Sequence, residues 1–141
     1  MSTAIEDARR TFSAVFSAGW TVAYPTYPIA HENQKFKPNK QVPWVDFNLS
    51  PTGRSRMNIG SKRFVRTFGT IIIECYVPED HGSRTLFEMM DKALEILEEK
   101  NFVIDGAHNA TTQTGRPTNL GQTEAFYAGM VAISFYVDEA I

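Results

Sequence analysis

Apolar side chains recur with a helical period near the start of the chain. The positions are Ile5, Ala8, Phe12, Val15 and Phe16. This spacing predicts an amphipathic helix over residues 4–17, and Thr3 and Glu6 have the spacing of a capping box at its N-terminus. Gly19 is the expected end of the helix. A short strand is predicted next from three alternating apolar positions, Trp20, Val22 and Tyr24.

A long apolar strand and a second amphipathic helix form the centre of the chain. The strand is predicted over residues 64–77, where the consecutive isoleucines 71–73 indicate that both of its faces are covered. Gly69 interrupts this strand, which predicts a bulge or a close contact at that point. The helix is predicted from Ser83 to Lys100, with either Ser83 or Thr85 as its N-cap. Its apolar positions are Leu86, Met90, Ala93, Leu94 and Leu97.

Further strands and turns are predicted on either side of this centre. They are a half-buried strand over residues 45–49, a turn over 50–53, a strand over 54–60, a turn over 60–63 and strands over 102–104 and 126–137. In the strand over 54–60, alternation places Met57 and Ile59 inward and Arg56 and Asn58 outward.

Two polar stretches show little apolar periodicity. Residues 29–42 are expected to be extended and exposed. Residues 109–123 hold one large apolar side chain, Leu120, and are expected to form a disordered loop or a long hairpin arm. The predicted fold is therefore a single α+β domain over residues 1–141. A mainly antiparallel sheet is packed by the N-terminal helix and the central helix, with long loops between the strands.

The distribution of charge is uneven although the net charge is only −2. Residues 31–66 hold eight basic and two acidic side chains, a net charge of +6, whereas residues 67–141 hold four basic and twelve acidic side chains, a net charge of −8. One interpretation is that exposed loops are solvated by whatever charges they carry. The other is that the protein has one basic and one acidic surface, which suits head-to-tail self-association.

Candidate chemistry is sparse. Cys75 is the only cysteine and lies in the most apolar strand, which favours a core side chain over a nucleophile. Three histidines lie in separate predicted loops without metal-ligand spacing. The cluster at residues 79–81, Glu-Asp-His, either binds a cation or fits the positive end of the following helix. The sequence holds no phosphate-loop motif, and the basic segment 54–66 leaves only sequence-independent contact with DNA open. No enzyme activity, cofactor or metal is predicted.

Several short motifs occur in a characteristic order along most of the chain. They are Tyr27-Pro-Ile-Ala-His-Glu-Asn33, Phe36-Lys-Pro38, Val42-Pro-Trp44, Ile59-Gly60, Arg66-Thr-Phe-Gly69, Tyr76-Val-Pro78 and Gly82 before the helix. In this order they resemble the tail terminator proteins of long-tailed bacteriophages, of the siphophage, minor tail or tail-completion type. From Asn101 onward the likeness is only one of general character, a turn-rich loop and a final strand.

The resemblance implies a small α/β fold that assembles into a homohexameric ring. Such a ring caps the phage tail tube, ends its polymerisation and presents a surface for joining the head. The implied partners are further copies of this chain, the tail tube protein and the head connector, with DNA passing through the lumen. The implied location is the head-proximal end of the virion tail, after assembly in the host cytoplasm. No apolar run approaches the roughly 20 residues that span a bilayer, so no membrane partner is expected.

Two alternatives stay open beside the tail terminator. One is a connector or tail-completion protein that binds only the head side, and the other is a small ligand-binding α+β domain using the turn at residues 79–82. For the assembly interpretations, the charged side chains expected at a subunit or partner interface are Lys35, Lys37, Arg54, Arg56, Lys62, Arg63, Glu79, Asp80 and Arg116.

Overall fold

The computed structural model describes residues 4–31, 36–39, 41–104, 108–123 and 125–140. Two α-helices are present among them, α1 (Ala4–Ala23) and α2 (Gly82–Leu97). The strands are β1 (Ile29–His31), β2 (Trp44–Ile59), β3 (Lys62–Pro78), β4 (Asn101–Ile104), β5 (His108–Thr112), β6 (Arg116–Thr123) and β7 (Phe126–Ala140). Thr3, the expected partner in the capping box with Glu6, lies outside the described residues.

The strands form one sheet in the order β1-β2-β3-β7-β5-β4, and β6 pairs with the part of β7 that β5 leaves open. Among the described strands, only the short β1–β2 pair is parallel. Long antiparallel pairings join β3 to β2 on one side and to β7 on the other. The predicted fold class, a mainly antiparallel α+β domain, is confirmed.

Both helices lie on the same face of the sheet. The alternating buried side chains of β3 and β7 on this face pack against them, including Ile71, Ile73, Val131 and Ile133. From α1, Phe16 stacks on Phe47 and Phe12 contacts Phe135 edge-on. The opposite face, which we name the open face, has no helix on it among the described residues, and Ile72 on that face is only half-buried. Among the described residues, cover on the open face comes only at one end, where Phe36 packs against Trp44 with ring centroids 4.9 Å apart, so the full covering of both faces expected from the three isoleucines is not found there.

Helix α1 continues beyond its expected end. Gly19 is helical, and a Cβ there would lie 3.0 Å from Ile96 of α2, so this glycine allows the two helices to approach closely. Trp20 is fully buried one turn after Phe16, whereas Val22 is 86% exposed. The short strand predicted over these residues is wrong, because the helical spacing of Phe16 and Trp20 outweighs the local alternation.

The apolar face of α2 was predicted correctly, but its ends were not. Leu86, Met90, Ala93 and Leu97 are buried as expected. The helix begins at Gly82 after a short 3₁₀ turn, Glu79–His81, without a side-chain cap, so neither predicted N-cap is formed. It ends at Leu97, three residues before the predicted end.

Strands β2 and β3 form one long hairpin rather than several shorter strands. The turn expected at residues 50–53 is wrong, because β2 passes through this stretch with a bulge between Pro51 and Gly53. The chain reverses at Gly60, whose φ of 60° suits glycine. We name residues 53–66 of this hairpin the arm. All of its side chains up to Arg63 are exposed except that of Met57, which is half-buried.

The polar stretch 109–123 is not a loop. It contributes β5 and β6, which both pair with β7 along the same edge. Thr112 is buried, and its hydroxyl donates to the carbonyl of Leu97 at the end of α2. Backbone hydrogen bonds to a neighbouring strand therefore order this stretch despite its lack of apolar periodicity.

Gly69 makes a close contact, one of the two alternatives expected for it, while the bulge lies on the neighbouring strand β2. It pairs with Pro51 at the bulge, and a Cβ at this position would lie 2.5 Å from Cζ of Phe135. Phe135 is buried in the core, so the aromatic ring cannot move aside without disturbing its neighbours.

We expect Gly69→Ala to lower the free energy of unfolding by about 1–3 kcal/mol, because the added methyl group overpacks the core against Phe135. Denaturant unfolding followed by circular dichroism measures this. Gly53→Ala is the matched control, since a Cβ at that position would have no other atom within 4 Å, and its effect should stay within about 0.5 kcal/mol. Equal stabilities of the two variants would contradict the close-contact explanation.

Candidate subunit-interface surfaces

The arm has a basic face on the same side of the sheet as the helices. Arg54 lies opposite Thr67, Arg56 opposite Val65, and Asn58 opposite Arg63. Since Thr67 and Val65 alternate in phase with the buried Ile71 and Ile73, all three arginines are on the helix side. None of them forms an ion pair with any residue that the structure describes. Together the three arginines form an exposed, positively charged patch.

The other face of the arm carries apolar side chains among polar ones, with Ser55 opposite Arg66 nearest the base. Met57 pairs with Phe64, and Ile59, at the tip, pairs with Lys62 and is 63% exposed. The prediction that Met57 and Ile59 point inward is wrong. The extra residue at the Pro51/Gly53 bulge reverses the side-chain alternation, so that these two side chains continue the open face instead.

A charged pair on the open face fixes the base of the arm to β7. Arg66 donates from Nε and Nη2 to the two carboxylate oxygens of Asp138, at 2.8 and 3.0 Å. The guanidinium also lies 3.9 Å from the ring centroid of Tyr136 and 5.5 Å from that of Phe64. The hydrogen bonds to Asp138 raise the pKa of Arg66, which therefore stays charged. This bidentate, stacked arrangement needs arginine and would be lost with lysine.

The open face carries an aromatic cluster at the end of the sheet remote from the arm. Trp44 stacks on Tyr76 with ring centroids 4.2 Å apart, and Phe126 contacts both rings edge-on. The indole Nε1 of Trp44 is buried and has no hydrogen-bond partner within the described structure. This end of the face therefore combines apolar surface with an unused donor.

Two carboxylates lie next to each other beside this cluster. Asp46 and Glu74 are direct cross-strand partners on the open face. Asp46 accepts from the side-chain amide of Asn48, and Glu74 accepts from the hydroxyl of Tyr76. Burial, the hydrogen bond to Glu74 and the charge of Asp46 all raise the pKa of Tyr76. Tyr76 therefore lies in a partly buried position beside two carboxylates.

The turn at residues 79–82 forms one wall of a shallow cleft. The cleft has a volume of about 250 Å³ and is lined by Glu79, Gly82, Ser83, Gln122 and Tyr127. Glu79 accepts from Nε2 of Gln122 at 2.6 Å, which joins the turn to β6. Within the described ranges no group of three or more metal-ligating side chains comes together, here or elsewhere. The side chain of Asp80 lies outside what the structure describes.

Cys75 is a core residue, as predicted. It is fully buried on the helix side of β3, and burial raises the pKa of its thiol from 9.0 to about 12.

A buried polar contact between α1 and β5 was not anticipated from the sequence. Asp7 of α1 is 4% exposed, pairs with Arg10, and lies 3.8 Å from Nε2 of His108 on β5.

The charged residues expected at an interface do not form one patch. Arg54, Arg56, Lys62 and Arg63 come together on the arm. Lys37 is exposed in the separate segment 36–39, and Arg116 is exposed at the start of β6, opposite Ala132 on the open face. Lys35 lies outside the described residues. Sequence reasoning missed Arg66–Asp138 and Asp46–Glu74, since both are cross-strand pairs that only the strand register brings together.

Comparison with known proteins identifies the fold. No protein-family model matches the chain, and no curated protein matches it. A solved structure whose name states no function matches with a TM-score of 0.72 at 19% sequence identity, over 99% of this chain and 98% of that chain. At this identity the likeness establishes the α+β architecture over the full length of both chains. Separately, none of the described helices is long and apolar enough to cross a membrane.

We expect the thiol of Cys75 to be inert in the folded protein. A thiol with a pKa near 12 is almost wholly protonated at pH 8, and the thiolate is the reactive form. Titration with a chromogenic disulfide at pH 8 should give no reaction in the native protein and one thiol per chain in 6 M guanidinium. Rapid labelling of the native protein would show that β3 opens or that Cys75 is accessible.

We expect Arg66→Met to loosen the arm. The variant keeps apolar packing on Tyr136 but leaves the Asp138 carboxylate without its cation, and the partly exposed pair should be worth about 1–2 kcal/mol after solvent screening. Hydrogen exchange should rise most in the arm and at the end of β7. Arg54→Met, which removes an arginine without an ion-pair partner, is the control. The same exchange pattern in both variants would show that the Arg66–Asp138 pair does not hold the arm on β7.

Proposed function

We propose that this protein is a tail terminator subunit of a long-tailed bacteriophage, acting by assembly rather than catalysis. In this role its copies form a ring on the end of the tail tube, stop tube growth and offer a surface for joining the head. The observation that carries the proposal is the arm. It is a long exposed hairpin with three arginines on one face and apolar side chains on the other. A two-faced projection of this kind suits contact with another protein surface.

The distribution of charge supports a contact between unlike surfaces. The exposed arginines lie at one end of the long strands, and Asp46, Glu74 and Glu79 lie toward the other. A patch that meets a different patch on the next copy gives a heterologous contact. Repetition of such a contact closes into a ring when its rotation closes, and otherwise gives a filament. A ring is the form that caps a tube.

The motifs that carry the resemblance have structural roles in this fold. Trp44 begins β2 and stacks on Tyr76, and Gly82 begins α2 with a φ of 77°. Arg66 fixes the arm to β7, and Gly69 allows β3 to approach Phe135. Trp44 therefore belongs to the open face and Arg66 to the arm, whereas Gly69 and Gly82 shape the strand and the helix beside them. The likeness in motif order thus concerns in part the surfaces that the proposed function uses.

The main alternative is a connector or tail-completion protein that binds only the head side. It would use the same fold and the same exposed surfaces, but it would not act on tube length. The effect of the protein on tube polymerisation therefore separates the two functions.

We expect the purified protein to arrest the growth of tubes assembled from the phage's tail tube subunits. Tube lengths measured by electron microscopy should stop increasing after addition, and a phage lacking the protein should make tails of irregular length that do not join heads. A connector would leave tube length unchanged in the first experiment. Normal, uniform tails joined to heads in the deletion phage would refute both functions.

A further inference from the structure

We infer that the arginine face of the arm docks in a groove between α2 and β6 of the next copy, where Asp91 and Phe87 receive a guanidinium. This inference rests on the proposed ring and names the two surfaces that meet in it. We name the receiving site the α2–β6 groove. It is lined by Phe87, Met90, Asp91, Pro117, Thr118 and Asn119.

The α2–β6 groove is an exposed site at the edge of the sheet. It has a volume of about 280 Å³, and β6 pairs only with β7 among the described strands. Of the side chains that line the groove, Met90 is buried, whereas Phe87 is 48% exposed. The volume is below the range of about 300–1,000 Å³ that is usual for small-molecule pockets. The groove is therefore better suited to a side chain from another protein surface than to a whole ligand.

Asp91 provides a carboxylate without a cation in this groove. It is exposed and forms no hydrogen bond or ion pair with any residue that the structure describes. The other two carboxylates of α2 have partners, since Glu88 pairs with Arg84 and Glu95 with Lys92. A cation from outside the chain can therefore bind Asp91 without displacing one that is already there.

Asp91 and Phe87 together have the chemistry of an arginine site. They are four residues apart, which places their side chains next to each other on one side of α2. Arginine binds a carboxylate through its planar guanidinium and stacks on an aromatic ring at the same time. The fold already uses this combination at Arg66, whose guanidinium contacts both the carboxylate of Asp138 and the ring of Tyr136. The α2–β6 groove presents the same two partners on an exposed surface.

The arm supplies the matching cation. It exposes Arg54, Arg56 and Arg63 on one face, and no acidic residue occurs between positions 53 and 66. None of the three arginines has an ion-pair partner among the described residues. The occupant of the groove is a second copy of this chain, because the chain itself carries an exposed surface of opposite charge.

A single chain cannot make this contact with itself. The groove lies beside Val131, which pairs with Pro117, and the base of the arm lies beside Glu139, which pairs with Val65. These two positions on β7 are eight residues apart, or about 26 Å at about 3.3 Å per residue. The arm extends further in the same direction, away from the groove. The contact is therefore heterologous, the kind that can close into a ring.

Charge-reversed variants test the contact by complementation. The arm variant is Arg54→Glu/Arg56→Glu/Arg63→Glu, and the groove variant is Asp91→Lys. Each alone should self-associate at least about tenfold more weakly than the wild type, because like charges then meet at every contact. An equimolar mixture should assemble more strongly than either variant, since each arm then meets a groove of opposite charge. Sedimentation velocity and native mass spectrometry measure both results.

Milder variants separate the contact from folding and from net charge. Asp91→Asn and Glu74→Gln each remove one negative charge and keep the shape of the side chain, but only the first should weaken association. Phe87→Ala should weaken association too, whereas Val22→Ala, which truncates a side chain that is 86% exposed on α1, should not. Thermal unfolding checks that all four variants are folded.

Cross-linking locates the contact directly. Asn58→Cys places a thiol on the arginine face of the arm, and Thr118→Cys places one at the groove. Because the native Cys75 is fully buried, mild oxidation of a mixture of the two variants should give a heterodimer linked through the new thiols. A mixture of Asn58→Cys with Val22→Cys should not cross-link, since Val22 lies outside the groove.

The possible failures have different meanings. If the wild type assembles but the groove variant assembles equally well, the charge-reversed mixture does not recover assembly, or no cross-link forms, the docking site is wrong while the proposed ring survives. Equal weakening by Asp91→Asn and Glu74→Gln would show that net charge rather than the groove drives association, which overturns the inference. A wild type that neither self-associates nor arrests tube growth would overturn the proposed function itself.

Discussion

The pairing of β3 with both of its long neighbours is the constraint on which the rest of the structure depends. One face of β3 supplies Ile71, Ile73 and Cys75 to the core beneath the helices, and the other supplies Glu74 and Tyr76 to the open face. Its N-terminal part extends into the arm. Because one strand carries all three regions, the positions of the arm and of the open face relative to each other are fixed by backbone hydrogen bonds rather than by flexible connections. At Gly69, the ring of Phe135 from β7 fills the space that a side chain would occupy. This close contact fixes β3 against β7 in the middle of the sheet.

The bulge between Pro51 and Gly53 determines what the arm presents. Without it, the alternation that buries Val45 and Phe47 would carry Met57 and Ile59 to the helix side and Arg54 and Arg56 to the open face. One extra residue exchanges these faces. The apolar side chains then continue the open face, and the arginines face the space beside the helices. Arg66 and Asp138 hold the base of the arm on β7, so the exposed hairpin keeps this orientation without support from a helix.

Periodicity predicted those elements that apolar side chains stabilise. The core faces of α2, β3 and β7 follow from it, as does the α+β class, because burying those faces requires a sheet with helices against it. Elements held by other forces were missed. Strand β6 has one large apolar side chain, Leu120, and is ordered by its backbone bonds to β7. The continuation of α1 through Gly19 depends on contact with Ile96, which lies far away in sequence. The arginines of the arm were identified from composition, but the pairs Asp46–Glu74 and Arg66–Asp138 depend on the register between neighbouring strands.

Exposure of both surfaces in one chain gives the proposed ring a physical rationale. A hairpin edge as long as the arm would invite indiscriminate pairing between chains if it were flat and apolar. Here Pro51, the bulge and the arginines work against strand addition along that edge, while leaving the faces of the arm free for contact. The open face combines apolar side chains with the carboxylates of Asp46 and Glu74. Specificity for another copy would then come from charge on both sides of the contact, and the fixed orientation of the arm on β3 would set the rotation that decides whether successive copies close into a ring.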